Sequence, residues 1–211
     1  MKLLVISGGR HPYEESTPIL DSFLKSAGHD VTTTEDASVL ADATGMTAYD
    51  ALVFNTRREN AADFKELKLS EAEQNGIINY VKSGKGFVCL HISGCGADYW
   101  PEFAEITGGG WISGTSFHPP YGTFDVKVSQ SSHAGVSGVS DFTTDDELYM
   151  GIEYTELLAG GVVEEERDNM LAVGAMEEEG DDKETVTTMM TGGTGTMLWM
   201  APEIMGSGKR I

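Results

Sequence analysis

Short apolar runs and helically spaced apolar residues alternate along the first ninety positions of the chain. Strands are predicted at four of these runs: residues 3–6, the residues around Val31, residues 49–54 and residues 86–90. Helical spacing predicts one helix over residues 17–28 and another over residues 70–84. This order is typical of an α/β protein with a doubly wound, mostly parallel sheet and helices on both faces.

The two predicted helices carry different start signals. Ser16 or Thr17 would cap the first helix, with Pro18 in its first turn. An apolar stripe should then face the sheet, formed by Ile19, Phe23, Leu24 and Ala27. Ser70 and Glu73 have the spacing of a capping box, which predicts the start of the second helix.

The pattern changes after Trp100. Loops rich in glycine and proline replace the helical spacing, and short β-like runs follow at residues 124–128, 170–176, 186–190 and 196–200. The length of 211 residues suits one domain. We therefore expect a single domain over residues 1–211, in which extra strands and loops extend the α/β sheet.

The composition of the chain argues against some classes of binding partner. The chain has 34 acidic and 14 basic residues and a formal net charge of −20, which argues against a nucleic-acid surface and an anionic membrane. It contains no apolar run of the roughly 20 residues that a transmembrane helix needs. Of its two cysteines, Cys89 lies in a predicted buried strand, so a disulfide framework is not expected. These features predict an acidic, cytoplasmic protein.

The predicted fourth strand ends on a histidine. The apolar residues between Gly86 and His91 fit a central strand buried on both faces. Ligands of open α/β sheets bind at the carboxyl ends of such strands, so His91 is the first candidate for a functional residue. A neutral histidine that is hydrogen-bonded at the end of a core strand is the alternative interpretation.

Three more residues are candidates for the same site. His11 lies in the loop after the first strand, beside Arg10, and His118 lies in a proline-rich loop. Each histidine alone is typical of a protein surface, but His11 and His91 both follow predicted parallel strands and should emerge at one edge of the sheet. Glu147 offers a carboxylate that could orient an imidazole, accept a proton or complete a metal site.

In their order along the chain, these motifs resemble the ThuA family, named for trehalose utilisation. The resemblance covers nearly the whole chain and rests on Gly9-Arg10-His11, residues 49–53, residues 84–91, Tyr99-Trp100, Phe117-His118-Pro119, residues 132–136, residues 146–149, and Leu198-Trp199 with residues 206–210. It implies a flavodoxin-like sheet similar to that of class I glutamine amidotransferases, with His91 in place of the elbow cysteine. Glutaminase activity is therefore not expected. The family usually continues beyond residues 206–210 into another strand, so either this sequence is shortened or the last strand and its histidine are absent.

The resemblance also implies a role in carbohydrate utilisation, with a substrate derived from trehalose or a keto-sugar. Motif matching carries over His11, His91, His118 and Glu147. The predicted catalytic set is His91 as general acid or base, His118 polarising the substrate and Glu147 orienting an imidazole. The predicted substrate-binding residues are His11, Arg10, Trp100 and Tyr121, and Trp111 in the same loop-rich region could stack on a sugar ring.

Two alternatives stay open. No cofactor is predicted, but a variant of the enzyme would hold a divalent metal such as zinc with His11, His91 and either Glu147 or His118, although no dense motif such as H-E-x-x-H is present. The other alternative is a non-catalytic ligand-binding or interaction domain. A second subunit could cover an unfinished sheet edge near Ile211, which would make the protein a homo-oligomer.

Overall fold

The apolar runs of the first ninety residues form the central sheet. The computed structural model describes residues 1–10, 12–58, 68–90, 93, 100–107, 109–128, 138–151, 153–154, 185–186, 190–191 and 197–198. Four strands pair in parallel in the order β2-β1-β3-β4, with bounds of Lys2–Gly9 (β1), Asp30–Thr34 (β2), Ala51–Arg57 (β3) and Gly86–Cys89 (β4). The predicted α/β class with a parallel sheet is confirmed.

Helices cover both faces of this sheet. Their bounds are Tyr13–Ser26 (α1), Ala37–Ala41 (a 3-10 helix), Ala43–Met46 (α2), Glu71–Lys82 (α3) and Pro101–Thr107 (α4). On one face, Leu20 of α1 packs with Val5 and Val53. On the other face, Ile77 of α3 and Phe103 of α4 belong to the larger core cluster, which also contains the neighbouring strand residues Leu4, Ile6, Leu52 and Phe54. Successive strand side chains point to opposite faces, so β1 and β3 contribute to both cores.

The capping box of α3 is present as predicted. Ser70 Oγ accepts a hydrogen bond from the Glu73 backbone N–H at 3.4 Å, and a Glu73 carboxylate oxygen accepts one from the Ser70 N–H at 2.6 Å. The chain leaves the helix through Gly84, whose φ of 85° is accessible to glycine at little cost. This helix then leads directly into β4.

Helix α1 begins four residues earlier than predicted. Its N-cap is Pro12, which provides no side-chain cap, and Pro18 lies inside the helix rather than in its first turn. The predicted cap residues Ser16 and Thr17 instead bond to polar groups of the sheet. The predicted apolar stripe is right only in part, because Leu24 packs against the core beside Leu20, which was not predicted, whereas Phe23 is exposed.

Two further boundaries differ from the prediction. Strand β1 continues through Gly8 and Gly9, beyond the strand predicted at residues 3–6, because Gly9 still pairs with Arg57 of β3. Helix α4 follows Trp100, where we predicted irregular loops. It has only seven residues, which is too short for its buried pair Phe103 and Ile106 to establish a helical period in the sequence.

The C-terminal half adds short strands, as predicted. Strand β6 (Gly122–Val126) pairs antiparallel with β7 (Phe142–Asp146) and parallel with β9 (Thr185–Val186). Two antiparallel pairs join β5 (Gly109–Gly110) to β8 (Glu153–Tyr154), and β10 (Met190–Thr191) to β11 (Met197–Leu198). The predicted strand at residues 170–176 lies outside the described residues. Among the helices that are described, none has the length and apolar character needed to cross a membrane.

Candidate functional site

Buried polar side chains gather where the strands of the parallel sheet end. They are Ser7, Ser16, Asn55, Thr56, Arg58 and Ser93, which we call the polar floor. The earlier positions of β1 and β3 are filled by buried apolar residues, so the change from apolar to polar occurs along the strands themselves. Buried polar groups are costly unless they are hydrogen-bonded, which makes the partners of this floor informative.

Asn55 connects the floor to helix α1. Its side-chain amide donates hydrogen bonds to Ser16 Oγ and Thr17 Oγ1, both at 3.1 Å. The Thr17 hydroxyl also forms a short hydrogen bond with the Ser7 hydroxyl. These contacts explain why Ser16 and Thr17 lie within the helix rather than at its start.

Arg58 connects the ends of three strands. Its Nε donates to Thr56 Oγ1 at 2.9 Å, and its Nη2 donates to the Ser7 carbonyl at 2.9 Å and to the Glu35 carbonyl at 2.5 Å. Burial lowers the pKa of the guanidinium, and the nearby carboxylates of Glu73 and Glu35 oppose that effect. Arg58 thus fixes the ends of β1 and β3 and the segment after β2 relative to one another.

Gly9 allows the loop after β1 to approach β3 closely. Its φ is 101°, and a Cβ atom placed on it would lie 2.2 Å from the Arg57 carbonyl oxygen. No side chain larger than hydrogen fits this approach. The loop that carries Arg10 therefore starts directly beside the end of β3.

A second group of side chains, partly exposed, comes from the C-terminal half. It consists of Trp111, His118, Glu147 and Tyr149, which we call the rim cluster. The Trp111 and Tyr149 rings meet edge to face at 5.4 Å between centroids, and the His118 ring lies 5.8 Å from Tyr149 and 6.2 Å from Trp111. The His118 Nδ1 lies 3.9 Å from a Glu147 carboxylate oxygen, and these two side chains are 39% and 38% exposed. An imidazole, a carboxylate and two aromatic rings are thus accessible from solvent together.

The hydrogen bond of His118 shows which ring nitrogen carries the proton. Nδ1 lies 3.0 Å from the Pro119 carbonyl oxygen, which can only accept a hydrogen bond. Nδ1 therefore carries a proton in this bond, and Nε2 is the unprotonated nitrogen when the ring is neutral. Nε2 is consequently the atom that could accept a proton from a ligand.

Tyr13, at the start of α1, has a buried side chain. Burial raises the pKa of its phenol, while the Ser93 hydroxyl acts in the opposite direction as a hydrogen-bond partner. The Tyr149 phenol and the Arg57 guanidinium also act on it electrostatically, with smaller effects. The surroundings of Tyr13 therefore favour the neutral phenol.

The structure brings some of the predicted site residues together and separates others. His118 and Glu147 meet in the rim cluster, and Tyr121 is exposed. Arg10 is exposed at the end of β1, where its backbone N–H bonds to the Arg57 carbonyl at 3.4 Å. His11 and His91 lie outside the described residues.

Trp100 occupies the core instead of the site. It is only 3% exposed and stacks on Phe103 at 4.8 Å between ring centroids. The larger core cluster of the sheet includes both rings. No face of Trp100 is left for a sugar, so its predicted binding role is withdrawn and Trp111 is the tryptophan of the candidate site.

Sequence reasoning did not nominate Tyr13, Ser93 or Tyr149. Tyr149 ends the run Asp145–Tyr149 that contains Glu147, so its aromatic side chain beside a candidate carboxylate was an available signal. Tyr13 lies before the predicted start of the first helix, because that start was placed too late. Ser93 had no signal beyond its position two residues after His91.

The described residues contain no group of three or more side chains suited to holding a metal ion. Two of the histidines named for the zinc alternative, His11 and His91, lie outside that part of the chain. The metal alternative therefore stays as predicted, without a described ligand set.

The sequence model of the ThuA family, described as trehalose utilisation, matches residues 2–196. The chain belongs to the ThuA family. No curated protein matches the sequence significantly. The family assignment agrees with the resemblance found in the motifs, and it extends over both the parallel sheet and the rim cluster.

Solved structures of ThuA-like proteins share the fold. One from Parabacteroides merdae superposes with a TM-score of 0.65 at 18% sequence identity, covering 94% of this chain and 77% of its own. Another from Bacteroides uniformis gives a TM-score of 0.56 at 19% identity, covering 71% of this chain and 60% of its own. At these identities the similarity establishes a common architecture, not a common reaction.

Proposed function

We propose that this ThuA family protein acts in the cytoplasm on a small carbohydrate, derived from trehalose or a keto-sugar, by histidine-based acid and base chemistry. The observation that carries the proposal is the His118–Glu147 pair at 3.9 Å, set beside the rings of Trp111 and Tyr149. Aromatic rings offer flat apolar surfaces to the C–H faces of a sugar, and a carboxylate accepts hydrogen bonds from its hydroxyls.

In this proposal His118 Nε2 is the general base. It would take a proton from a hydroxyl or from a carbon beside a carbonyl group, while Nδ1 stays bonded to the Pro119 carbonyl. Glu147 would stabilise the positive imidazolium that results, because its carboxylate is close to Nδ1. The same imidazolium could then return the proton, as isomerisation or hydrolysis of a keto-sugar requires. His91 remains a predicted second acid or base of the site.

Glutamine hydrolysis is not part of the proposal. A cysteine nucleophile must be accessible to its substrate, but Cys89 lies fully buried within β4. Release of ammonia from glutamine would contradict this part of the proposal.

A single substitution tests the role of His118 as the base while preserving its contact with the fold. In His118→Asn, the side-chain amide can still donate to the Pro119 carbonyl, but the nitrogen that accepts the proton is lost. The protein would be incubated with trehalose and with chemically oxidised trehalose, and products followed by NMR. We expect turnover to fall by about a hundredfold or more.

The matched control is His29→Asn, which alters the histidine beside the N-terminal amine, at the opposite end of the sheet. It should leave turnover unchanged. Equal turnover in His118→Asn and wild type would exclude His118 as the base. Binding of the sugar without any product would instead support the non-catalytic alternative.

A further inference from the structure

Ser116 is a buried serine whose hydroxyl joins the two segments that carry the rim cluster. It is 8% exposed, and its Oγ accepts a hydrogen bond from the Ile112 backbone N–H at 2.8 Å. The same hydroxyl donates to the Gly151 carbonyl oxygen at 2.7 Å, since a carbonyl oxygen can only accept. One hydroxyl group therefore bonds residues 111–118 to residues 147–151.

The bond to Ile112 fixes the loop that carries Trp111. The Ile112 N–H belongs to the peptide bond that joins Trp111 to Ile112. The Ile112 carbonyl accepts two further hydrogen bonds, from the N–H groups of Thr115 at 3.1 Å and Ser116 at 2.8 Å. Both polar backbone groups of Ile112 are thus held, and the backbone of Trp111 is held with them.

A short antiparallel bridge continues from Ser116 to the histidine. Phe117 and Met150 exchange two backbone hydrogen bonds, at 3.0 Å and 2.8 Å. In this register His118 comes opposite Tyr149, and their rings lie 5.8 Å apart between centroids. The Ser116 hydroxyl therefore lies at one end of the bridge, and the His118 and Tyr149 rings lie at the other.

Gly151 allows the two segments to approach each other at the Ser116 end. Its φ is 64°, which favours glycine, and a Cβ atom at this position would lie 2.8 Å from the Thr115 carbonyl oxygen. That oxygen is a backbone atom and cannot rotate away. A side chain at position 151 would consequently push the Gly151 carbonyl away from the Ser116 hydroxyl.

We propose that Ser116 is a positioning residue of the candidate site, which sets the distance of the Trp111 ring from the His118 imidazole. The inference rests on the proposed function, in which Trp111 binds the sugar and His118 Nε2 takes its proton. A sugar stacked on Trp111 is aligned with Nε2 only while the two segments stay in place, and a displacement of about 1 Å can cost about a hundredfold in rate. Ser116 itself is buried, so it would act through these two rings and not by touching the substrate.

Substitutions on both sides of the bond test this role. Ser116→Ala leaves the Ile112 N–H without its acceptor, Gly151→Ala keeps the hydroxyl but displaces its acceptor, and Ser116→Thr keeps a hydroxyl at position 116. The matched control is Ser83→Ala, which also removes one serine hydroxyl. Ser83 donates to the Tyr80 carbonyl at 2.7 Å at the end of α3, outside both segments of the rim cluster.

The first measurement needs no ligand. Nuclear Overhauser effects between the ring protons of Trp111, His118 and Tyr149 report the distances between these rings, and they would be recorded together with thermal unfolding. We expect Ser116→Ala and Gly151→Ala to weaken the effects from Trp111 to the other two rings by about threefold, as a displacement of about 1 Å requires. The effect between His118 and Tyr149 should change less, because the backbone bridge beside them remains.

The two serine controls should behave differently from these variants. Ser116→Thr should retain the wild-type Overhauser effects, because the hydroxyl is still present. Ser83→Ala should lower the unfolding temperature without changing any effect among the three rings.

The second measurement uses turnover of chemically oxidised trehalose. We expect Ser116→Ala and Gly151→Ala to lower kcat by about tenfold to a hundredfold with KM within about threefold, because the bound sugar is displaced from Nε2 while the binding rings remain. Ser83→Ala should leave kcat unchanged. A kcat equal to that of wild type in both Ser116→Ala and Gly151→Ala would overturn the inference.

The two measurements separate this inference from the proposed function. If the wild-type protein turns over no sugar, the proposed function fails, and the Overhauser effects still decide whether Ser116 sets the distance between the rings. If Ser116→Ala does not fold, Ser116→Cys, with its weakly bonding thiol, takes its place. Unchanged effects from Trp111 in the folded variants, or an equal weakening in Ser83→Ala, would show that Ser116 only supports the fold.

Discussion

The imidazole of His118 faces the carboxylate of Glu147, with 3.9 Å between Nδ1 and the nearer oxygen. Glu147→Gln keeps the shape of that side chain but removes its charge. At this distance, and with both side chains partly exposed, the lost interaction with an imidazolium is about 1 kcal/mol. We therefore expect turnover of oxidised trehalose to fall by about fivefold to tenfold, measured as kcat.

Asp145→Asn is the control for this charge. Asp145 lies in β7 near Glu147, is exposed, and bonds to the hydroxyl of Thr123 on the neighbouring strand. Its substitution changes the net charge by the same amount without touching the rim cluster. A similar fall in both variants would indicate a general effect of charge and would remove the role assigned to Glu147.

Replacing Trp111 should weaken sugar binding, whereas replacing Trp100 should lower stability. Trp111 contacts His118 and Tyr149 in the rim cluster, so Trp111→Ala should weaken binding of a sugar probe by about tenfold and affect stability little. Trp100 is buried against Phe103, so Trp100→Ala should lower the free energy of unfolding by about 3–5 kcal/mol. Calorimetric titration with trehalose and urea unfolding measure the two effects.

Trp100→Phe retains part of the core ring if the alanine variant does not fold. It should bind the sugar as wild type does while unfolding at lower urea concentration. Unimpaired binding by Trp111→Ala would mean that the sugar does not stack on this ring.

The sequence alone predicts features that depend on residues close to one another along the chain. The apolar runs of β1 and β4 and the Ser70–Glu73 capping box depend on neighbouring positions, and all three are present in the structure. His118 and Glu147 were also nominated from the sequence, but nothing in their spacing required them to meet. Their contact depends on β6 and β7 pairing in one register.

The features that sequence missed depend on partners far along the chain. Ser16 and Thr17 have good capping side chains, yet both accept hydrogen bonds from the Asn55 side-chain amide and lie within the helix. Trp100 and Trp111 are the same residue type in neighbouring loops, and only packing on Phe103 separates the core residue from the site residue. A local sequence pattern cannot predict the helix start or which tryptophan is buried, because tertiary contacts decide both.

Gly76 of α3 lies directly against the backbone of Leu40 in the 3-10 helix. A Cβ atom at position 76 would come within 1.8 Å of the Leu40 carbonyl oxygen, which is a backbone atom and cannot rotate away. Glycine to alanine normally stabilises a helix by about 1 kcal/mol, but here the clash should reverse the sign. We expect Gly76→Ala to lower the free energy of unfolding by about 1–3 kcal/mol in urea denaturation.

The neighbouring position provides the comparison. Asn75 is exposed on the same helix, so Asn75→Ala should be neutral or slightly stabilising through helix propensity. If Gly76→Ala were as stable as Asn75→Ala, the close approach of α3 to the 3-10 helix would be incorrect.

Asp21 should make stability depend on pH in acid. Its carboxylate accepts hydrogen bonds from Lys25 Nζ at 2.6 Å and Thr33 Oγ1 at 3.0 Å, and the bond from Lys25 is the main cause of its lowered pKa. A carboxyl whose pKa is lower in the folded state contributes stability above its unfolded pKa of about 3.9, and that contribution is lost as pH falls through the folded value. Asp21→Asn should therefore unfold about 1–3 °C below wild type at pH 7, and the difference should shrink as pH falls below the unfolded value of about 3.9. Asp30→Asn, which alters an exposed carboxylate at the start of β2, controls for net charge. A difference for Asp21→Asn that stays constant down to pH 2.5 would show that the side chain acts through its shape and not through its charge.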